Sequence, residues 1–164
     1  MLEHLKPHLI YTGNLKSIDM TIILGTRIFL IFSALCFLSI SVNSFIDPAA
    51  AVLTGMEWLS PSISGKNEIR ANYGGMHGAL GLLIFITAFN PKYHTSNLYL
   101  LVFFIGGLLI GRGTSILIDG LPNATTMSFT YFEIASLSLS LLTLYLQKNK
   151  TTQDLKQGEK QWSL

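Results

Sequence analysis

Four stretches of the chain are each long and apolar enough to demand a bilayer or a large protein core around them, and they follow one another with only short polar breaks. A hydrocarbon core of roughly 30 Å is crossed by about 20 mostly apolar helical residues. Residues 21–43, 69–89, 97–118 and 124–146 each meet that length. The breaks carry helix stops: Asp47-Pro48 after the first, Asn90-Pro91 after the second, and Asp119-Gly120-Leu121-Pro122 after the third, because proline removes a backbone donor and biases the residue before it away from helix. Polar Gln147 to Lys150 close the fourth.

The placement of charge supports the same reading. Charged residues make up 12% of the chain, about half of what a soluble domain carries. Residues 28–147 hold nine of the 20 charges, and the much shorter remainder holds the other eleven. The expected fold class is therefore all-α: a polytopic membrane protein built as a four-transmembrane-helix bundle. Residues 1–19 form a polar or amphipathic N-terminal segment, 20–148 the membrane domain and 149–164 a disordered polar tail. A formal net charge of +2 offers no basic field for nucleic acid. Cys36, the single cysteine, excludes an internal disulfide or a cysteine-built metal site, and no zinc-like ligand spacing occurs, so neither metal nor cofactor is expected.

Orientation follows from lysines in the short loops, since cytoplasmic loops keep an excess of Lys and Arg. Lys6, Lys16, Lys92, Lys148, Lys150, Lys156 and Lys160 fall on one side and Lys66 alone on the other. Both termini are thus expected to be cytoplasmic. Arg27, in the inner half of the first span, is expected to snorkel to that interface. The segment from Ala49 to Gly65, with Met56, Trp58 and Leu59, is a candidate interfacial helix, as tryptophan prefers the head-group level.

Charges inside a span cost about 2.5 to 3.5 kcal/mol each on insertion scales and so call for a reason. Arg112 lies eight residues before Gly120 and Glu133 nine beyond Ala124, which puts both roughly 12 Å inside the outer boundary. His77 comes nine residues after Glu68, so it is expected at the same level, with Arg70 and Tyr73 above it. At 100° per residue, Arg70, Tyr73 and His77 share one narrow face, and Arg112, Ser115 and Asp119 share another. Small residues run beside them: Gly74, Gly78 and Gly81 on the second span, Gly107, Gly111 and Ser115 on the third. Such seams let membrane helices approach closely. The second and third spans are therefore expected to pack seam to seam, bringing Arg70, Arg112, Asp119 and Glu133 together in a charge-balanced pocket with Glu68 at its edge.

Two readings of that pocket stand side by side. In one, arginine and acid pair across helices and simply fix the packing. In the other, a guanidinium is left to hold a ligand, or an acid and His77 handle a proton.

The run Glu68-Ile69-Arg70-Ala71-Asn72-Tyr73-Gly74-Gly75, then Gly111-Arg112 through Ser115 to Asp119-Gly120-Leu121-Pro122, then Glu133, resembles the bacterial membrane family known as domain of unknown function 4345, over residues 20–148. More loosely, the layout is similar to DoxX-like four-helix proteins, some of which partner redox enzymes. The resemblance implies a small four-helix protein of the bacterial inner (plasma) membrane without an established activity; residues 1–19 are longer than that family's usual N-terminus. The function expected first is an accessory or binding module for a lipid, quinone or isoprenoid head group, or for a membrane partner or a second copy. A membrane-embedded isomerase or reductase using Glu133 or Asp119 with Arg112 is the alternative, and transport by an oligomer comes third.

Overall fold

The computed structural model describes residues 6–49 and 62–162, with side chains described over 20–49 and 62–149. The candidate interfacial segment with Met56, Trp58 and Leu59 lies outside the described residues. Among those described, every element is helical.

Helix α1, Lys6–Ile46, stops at the Asp47-Pro48 pair. After Ser62, whose hydroxyl accepts the Gly65 N–H at 3.0 Å as an N-cap, come α2, Ile63–Ile69, a π-helical segment π1, Arg70–Met76, and α3, His77–Ala88. These three run on without a break as one rod. It ends at Asn90, whose side chain accepts the Lys92 N–H at 3.1 Å and opens a 3-10 turn, Pro91–Tyr93. Helix α4, His94–Asp119, terminates on Gly120 at φ 92°, a conformation that only glycine adopts without strain. Helix α5, Ala124–Trp162, begins where the Asn123 side chain accepts the Thr126 N–H at 2.9 Å.

Among the described residues, three stretches are long and apolar enough to cross a membrane: Met20–Ile46, Pro91–Asp119 and Ala124–Asn149. The remaining rod is divided by π1, so its longest α-helical piece is the 12-residue α3. The rod also starts six residues before the expected 69, because Ser62 is a good N-cap and the polar residues after it join the helix. The first and last helices run past the expected boundaries of the membrane domain. α1 extends back through 6–19 as one helix with the first span, and α5 extends through 151–162. That last stretch is rich in Lys, Gln and Glu, which lose little rotamer freedom in a helix.

Helix α1 lies antiparallel against the α2–π1–α3 rod, and the contact is set by glycines. A Cβ placed on Gly74 would meet the Phe45 ring at 3.0 Å, one on Gly78 the Ser41 hydroxyl at 2.5 Å, and one on Gly81 the Ala34 carbonyl oxygen at 3.0 Å. The glycine seam of the second span therefore faces α1 and not α4. An added Cβ on Gly107 or Gly111 would meet nothing within 4 Å, so the seam of the third span is open. The physical reason is that α1 offers small residues, Ala34 and Ser41, at matching heights. It also offers a hydrogen bond, from Ser41 Oγ to the Gly74 carbonyl at 2.7 Å.

The core is built from Leu30, Ala34 and Phe37 of α1, Ile84 and Ala88 of α3, and Leu98, Leu101 and Ile105 of α4. No residue of α4 beyond Ile105 is buried. On α5 the covered positions are Met127, Ser136 and Thr143 together with Thr126, Thr130, Glu133, Leu137, Ser140, Leu144 and Gln147, the last seven forming one stripe. The stripe's alternating spacing of four and three is that of helices packed at a shallow left-handed angle.

Candidate polar site

Polar side chains gather at two opposite ends of this packing. At the end where α4 stops and α5 begins, Arg112 and Glu133 form a two-pronged ion pair, Nε to Oε2 at 2.6 Å and Nη2 to Oε1 at 2.9 Å. The side chains keep 28% and 13% of their surface, so the carboxylate is enclosed while the guanidinium retains an open edge. Parallel N–H···O bonds of this kind are among the strongest side-chain contacts, and this is the one ion pair between the described side chains. One turn further along α4, Ser115 Oγ donates to Asp119 Oδ2 at 3.0 Å, on the exposed surface.

The second-span residues are elsewhere. Glu68 Oε2 accepts from the Asn72 amide at 3.0 Å. Arg70 Nε reaches the Phe45 carbonyl at the end of α1, at 3.4 Å. His77 is buried, with Nδ1 2.9 Å from the Asn72 carbonyl. A carbonyl only accepts, so Nδ1 carries the proton. The ring stacks on Tyr73 at 5.4 Å and meets Phe37 at 5.7 Å and Phe104 at 5.5 Å. Phe104 precedes Arg112 by eight residues, about 12 Å along α4, so His77 and Arg112 do not share a level. The expected meeting of Arg70, Arg112, Asp119 and Glu133 does not occur either; only Arg112 and Glu133 join. The rod's early start and the wider turn of π1 displace the second-span residues, and their seam turns them toward α1.

The π segment has its own account. A π turn leaves carbonyls without their usual partners, and such turns recur at functional positions. Here two side chains bond such carbonyls: His77 the Asn72 carbonyl, and Ser41 the Gly74 carbonyl, which also accepts the His77 backbone N–H.

At the opposite end lies a network the sequence reading missed. Arg27 Nη2 donates to the Phe89 carbonyl at 3.2 Å, so this side chain caps the α3 terminus; its Nε is buried without a partner. His94 Nε2 lies 2.8 Å from the Ala88 carbonyl. Asn97 Nδ2 donates to Thr87 Oγ1 at 2.9 Å, and that hydroxyl donates to the Leu83 carbonyl at 2.6 Å. Thr95 Oγ1 donates to Gln147 Oε1 at 3.0 Å, and Gln147 Nε2 to Thr26 Oγ1 at 3.3 Å. α1, α3, α4 and α5 are thus tied together. A signal for it existed: the stop at Asn90-Pro91 leaves the last carbonyls of the helix needing donors. Among the described residues, no three His, Cys, Asp or Glu side chains come together as a metal site would require.

Residues 25–144, well over half of the chain, match the family described as Domain of unknown function (DUF4345), and the chain belongs to that family. No curated protein and no solved structure matches it.

Proposed function

We propose that this DUF4345 protein is a non-catalytic accessory module of the bacterial inner membrane that holds the head group of a neutral lipid, quinone or isoprenoid against the Arg112–Glu133 pair. In this reading the α2–π1–α3 rod is a fourth span, both termini are cytoplasmic, and the pair lies in the outer half of a four-helix bundle. The lysine distribution and the run of helix from Ile63 to Ala88 support that arrangement.

The observation that carries the ligand is the half-open guanidinium. Nε and Nη2 each give one proton to Glu133, which leaves three of the five N–H donors of an arginine. Glu133 neutralises the charge, so a full anion arriving at those donors would meet the carboxylate's repulsion. A quinone carbonyl or an alcohol oxygen would not. Covered positions on both sides of Glu133 supply hydroxyls, Thr130 and Ser136 among them.

The test is native mass spectrometry with lipidomics on protein extracted gently from its own membrane, beside Arg112→Leu and Glu133→Gln. One neutral amphiphile retained by the native chain and lost from both variants is the expected result; equal retention in all three overturns the proposal. A second reading, docking of a partner helix or a second copy, is favoured by the open face at Gly107 and Gly111, since small-residue faces in membranes commonly pack against helices. It predicts that Gly111→Leu abolishes co-purification of a defined partner while leaving any bound amphiphile in place.

A further inference from the structure

We infer that the cavity between the end of α1 and the start of π1 is a second, separate site, which takes the oxyanion head group of a membrane amphiphile with Arg70 as its anchor. The cavity is a shallow, largely open groove of about 460 Å³ lined by Phe45, Ile63, Asn67, Arg70, Ala71 and Gly75. Its walls are apolar, and Phe45 and Ile63 are 51% and 91% exposed. Ligands that suit such walls carry a hydrocarbon chain.

The charge argues for an anion. Arg70 has only the long contact of Nε with the Phe45 carbonyl, and among the described residues no carboxylate pairs with it. The nearest acid along the chain, Glu68, is held by Asn72. Lys66, four residues before Arg70, stands on the same helical face and adds a second cation. This is the reverse of Arg112, whose charge is cancelled by Glu133.

The π turn builds the floor. In an α-helix, Gly75 would lie about 140° around the axis from Arg70; the wider π turn, whose hydrogen bonds reach five residues on, brings it round toward the Arg70 side, and a Cβ on Gly75 would stand 3.7 Å from the Arg70 carbonyl oxygen. Glycine leaves that floor without a side chain, so a chain attached to a head group at Arg70 can lie over Gly75 and against Phe45.

The experiment places the full-length protein in nanodiscs of dioleoylphosphatidylcholine doped with dioleoylphosphatidylglycerol, or exposes it to oleate in neutral detergent, and counts retained molecules by native mass spectrometry. Phosphatidylglycerol or oleate should be retained over phosphatidylcholine by about tenfold or more, a charge-assisted hydrogen bond's worth. Which of the two is held tells a phosphodiester from a carboxylate. Arg70→Gln should remove that preference and Arg70→Lys keep most of it. Gly75→Leu, which meets only ordinary contacts, should block the site without changing charge. Arg112→Leu should leave it intact, so failure here is distinguishable from failure at the Arg112–Glu133 pair. Equal retention of phosphatidylcholine, unchanged retention in Arg70→Gln or in Gly75→Leu, or binding of inorganic phosphate as strong as that of oleate would each overturn the inference.

Discussion

Substituting Gly81 by alanine tests the packing on which every other assignment depends. A Cβ there would stand 3.0 Å from the Ala34 carbonyl oxygen, 3.0 Å from Leu38 Cγ and 3.1 Å from the Leu38 nitrogen. Ordinary carbon contacts are about 3.5 to 4.0 Å, and two of these three atoms are backbone, which cannot rotate away. α1 and α3 must therefore part by about 0.5 Å, and a gap of that size forfeits about a quarter of the dispersion well. A buried leucine-sized side chain makes about 50 contacts of 0.1 to 0.2 kcal/mol each, so Leu30 or Ile84 alone would lose about 2 kcal/mol. Alanine returns up to about 1 kcal/mol of helix propensity, leaving a net loss of about 1 kcal/mol or more. Gly111→Ala meets nothing within 4 Å and should only gain, by about 0.5 to 1 kcal/mol. Reversible unfolding in mixed micelles, followed by circular dichroism, should separate the two variants by about 2 kcal/mol, roughly a thirtyfold difference in equilibrium constant. Equal shifts would refute the packing, and a loss confined to Gly111→Ala would place the tight seam on α4 instead.

Three further outcomes follow from the same contacts. Arg112→Leu and Glu133→Leu should each destabilise the α4–α5 pairing by about 2 to 4 kcal/mol, while the double variant recovers most of the loss, because a lone enclosed charge costs more than an apolar pair; strictly additive unfolding energies would remove the ion pair from the account. Gly78→Ala should lose about 1 to 3 kcal/mol through its clash with the Ser41 hydroxyl at 2.5 Å, and adding Ser41→Ala should restore part of it, so a double variant no better than Gly78→Ala alone would argue against that contact. Arg27→Leu removes the donor from the Phe89 carbonyl and should cost about 0.5 to 1.5 kcal/mol, with Arg27→Lys closer to the native protein; a leucine variant as stable as the native chain in denaturant titration would show that the cap contributes nothing.

The helix ends were legible because Asp47-Pro48, Asn90-Pro91 and Gly120-Leu121-Pro122 are backbone chemistry, which acts locally. Depth along a span was legible only where the span's start was right. Counting from Ala124 and Gly120 puts Glu133 and Arg112 at similar heights, whereas counting from Glu68 misplaces His77, because the helix starts at Ile63 and the π turn inserts itself between. Periodicity tells which residues share a face but not which helix that face meets. Gly74, Gly78 and Gly81 lie on one stripe in the sequence; that α1 and not α4 covers the stripe depends on Ala34 and Ser41, whose smallness is unremarkable in a sequence full of small residues. The Arg27 network escaped notice for the opposite reason. Its members are spread over α1, α3, α4 and α5, so no single-helix pattern contains them.

These two polar regions differ in what removing them would do to the rest of the protein. At the Arg27 end, Thr26, Thr87, His94, Asn97 and Gln147 sit beside the apolar core of Leu30, Ala88, Leu98 and Leu101, so hydrogen bonds and close packing hold the same helices twice over. At the Asp119 end nothing of α4 beyond Ile105 is buried, and the Arg112–Glu133 pair is the ionic tie between α4 and α5. A group whose only task was cohesion would gain most where apolar packing already excludes competing partners, since enclosure strengthens electrostatic contacts. The pair instead stands where packing is thinnest and where a molecule in the bilayer could reach the guanidinium's free edge without disturbing the core. In the proposed reading, that placement lets the pair exchange partners, with the Arg27 end as the frame against which the exchange occurs.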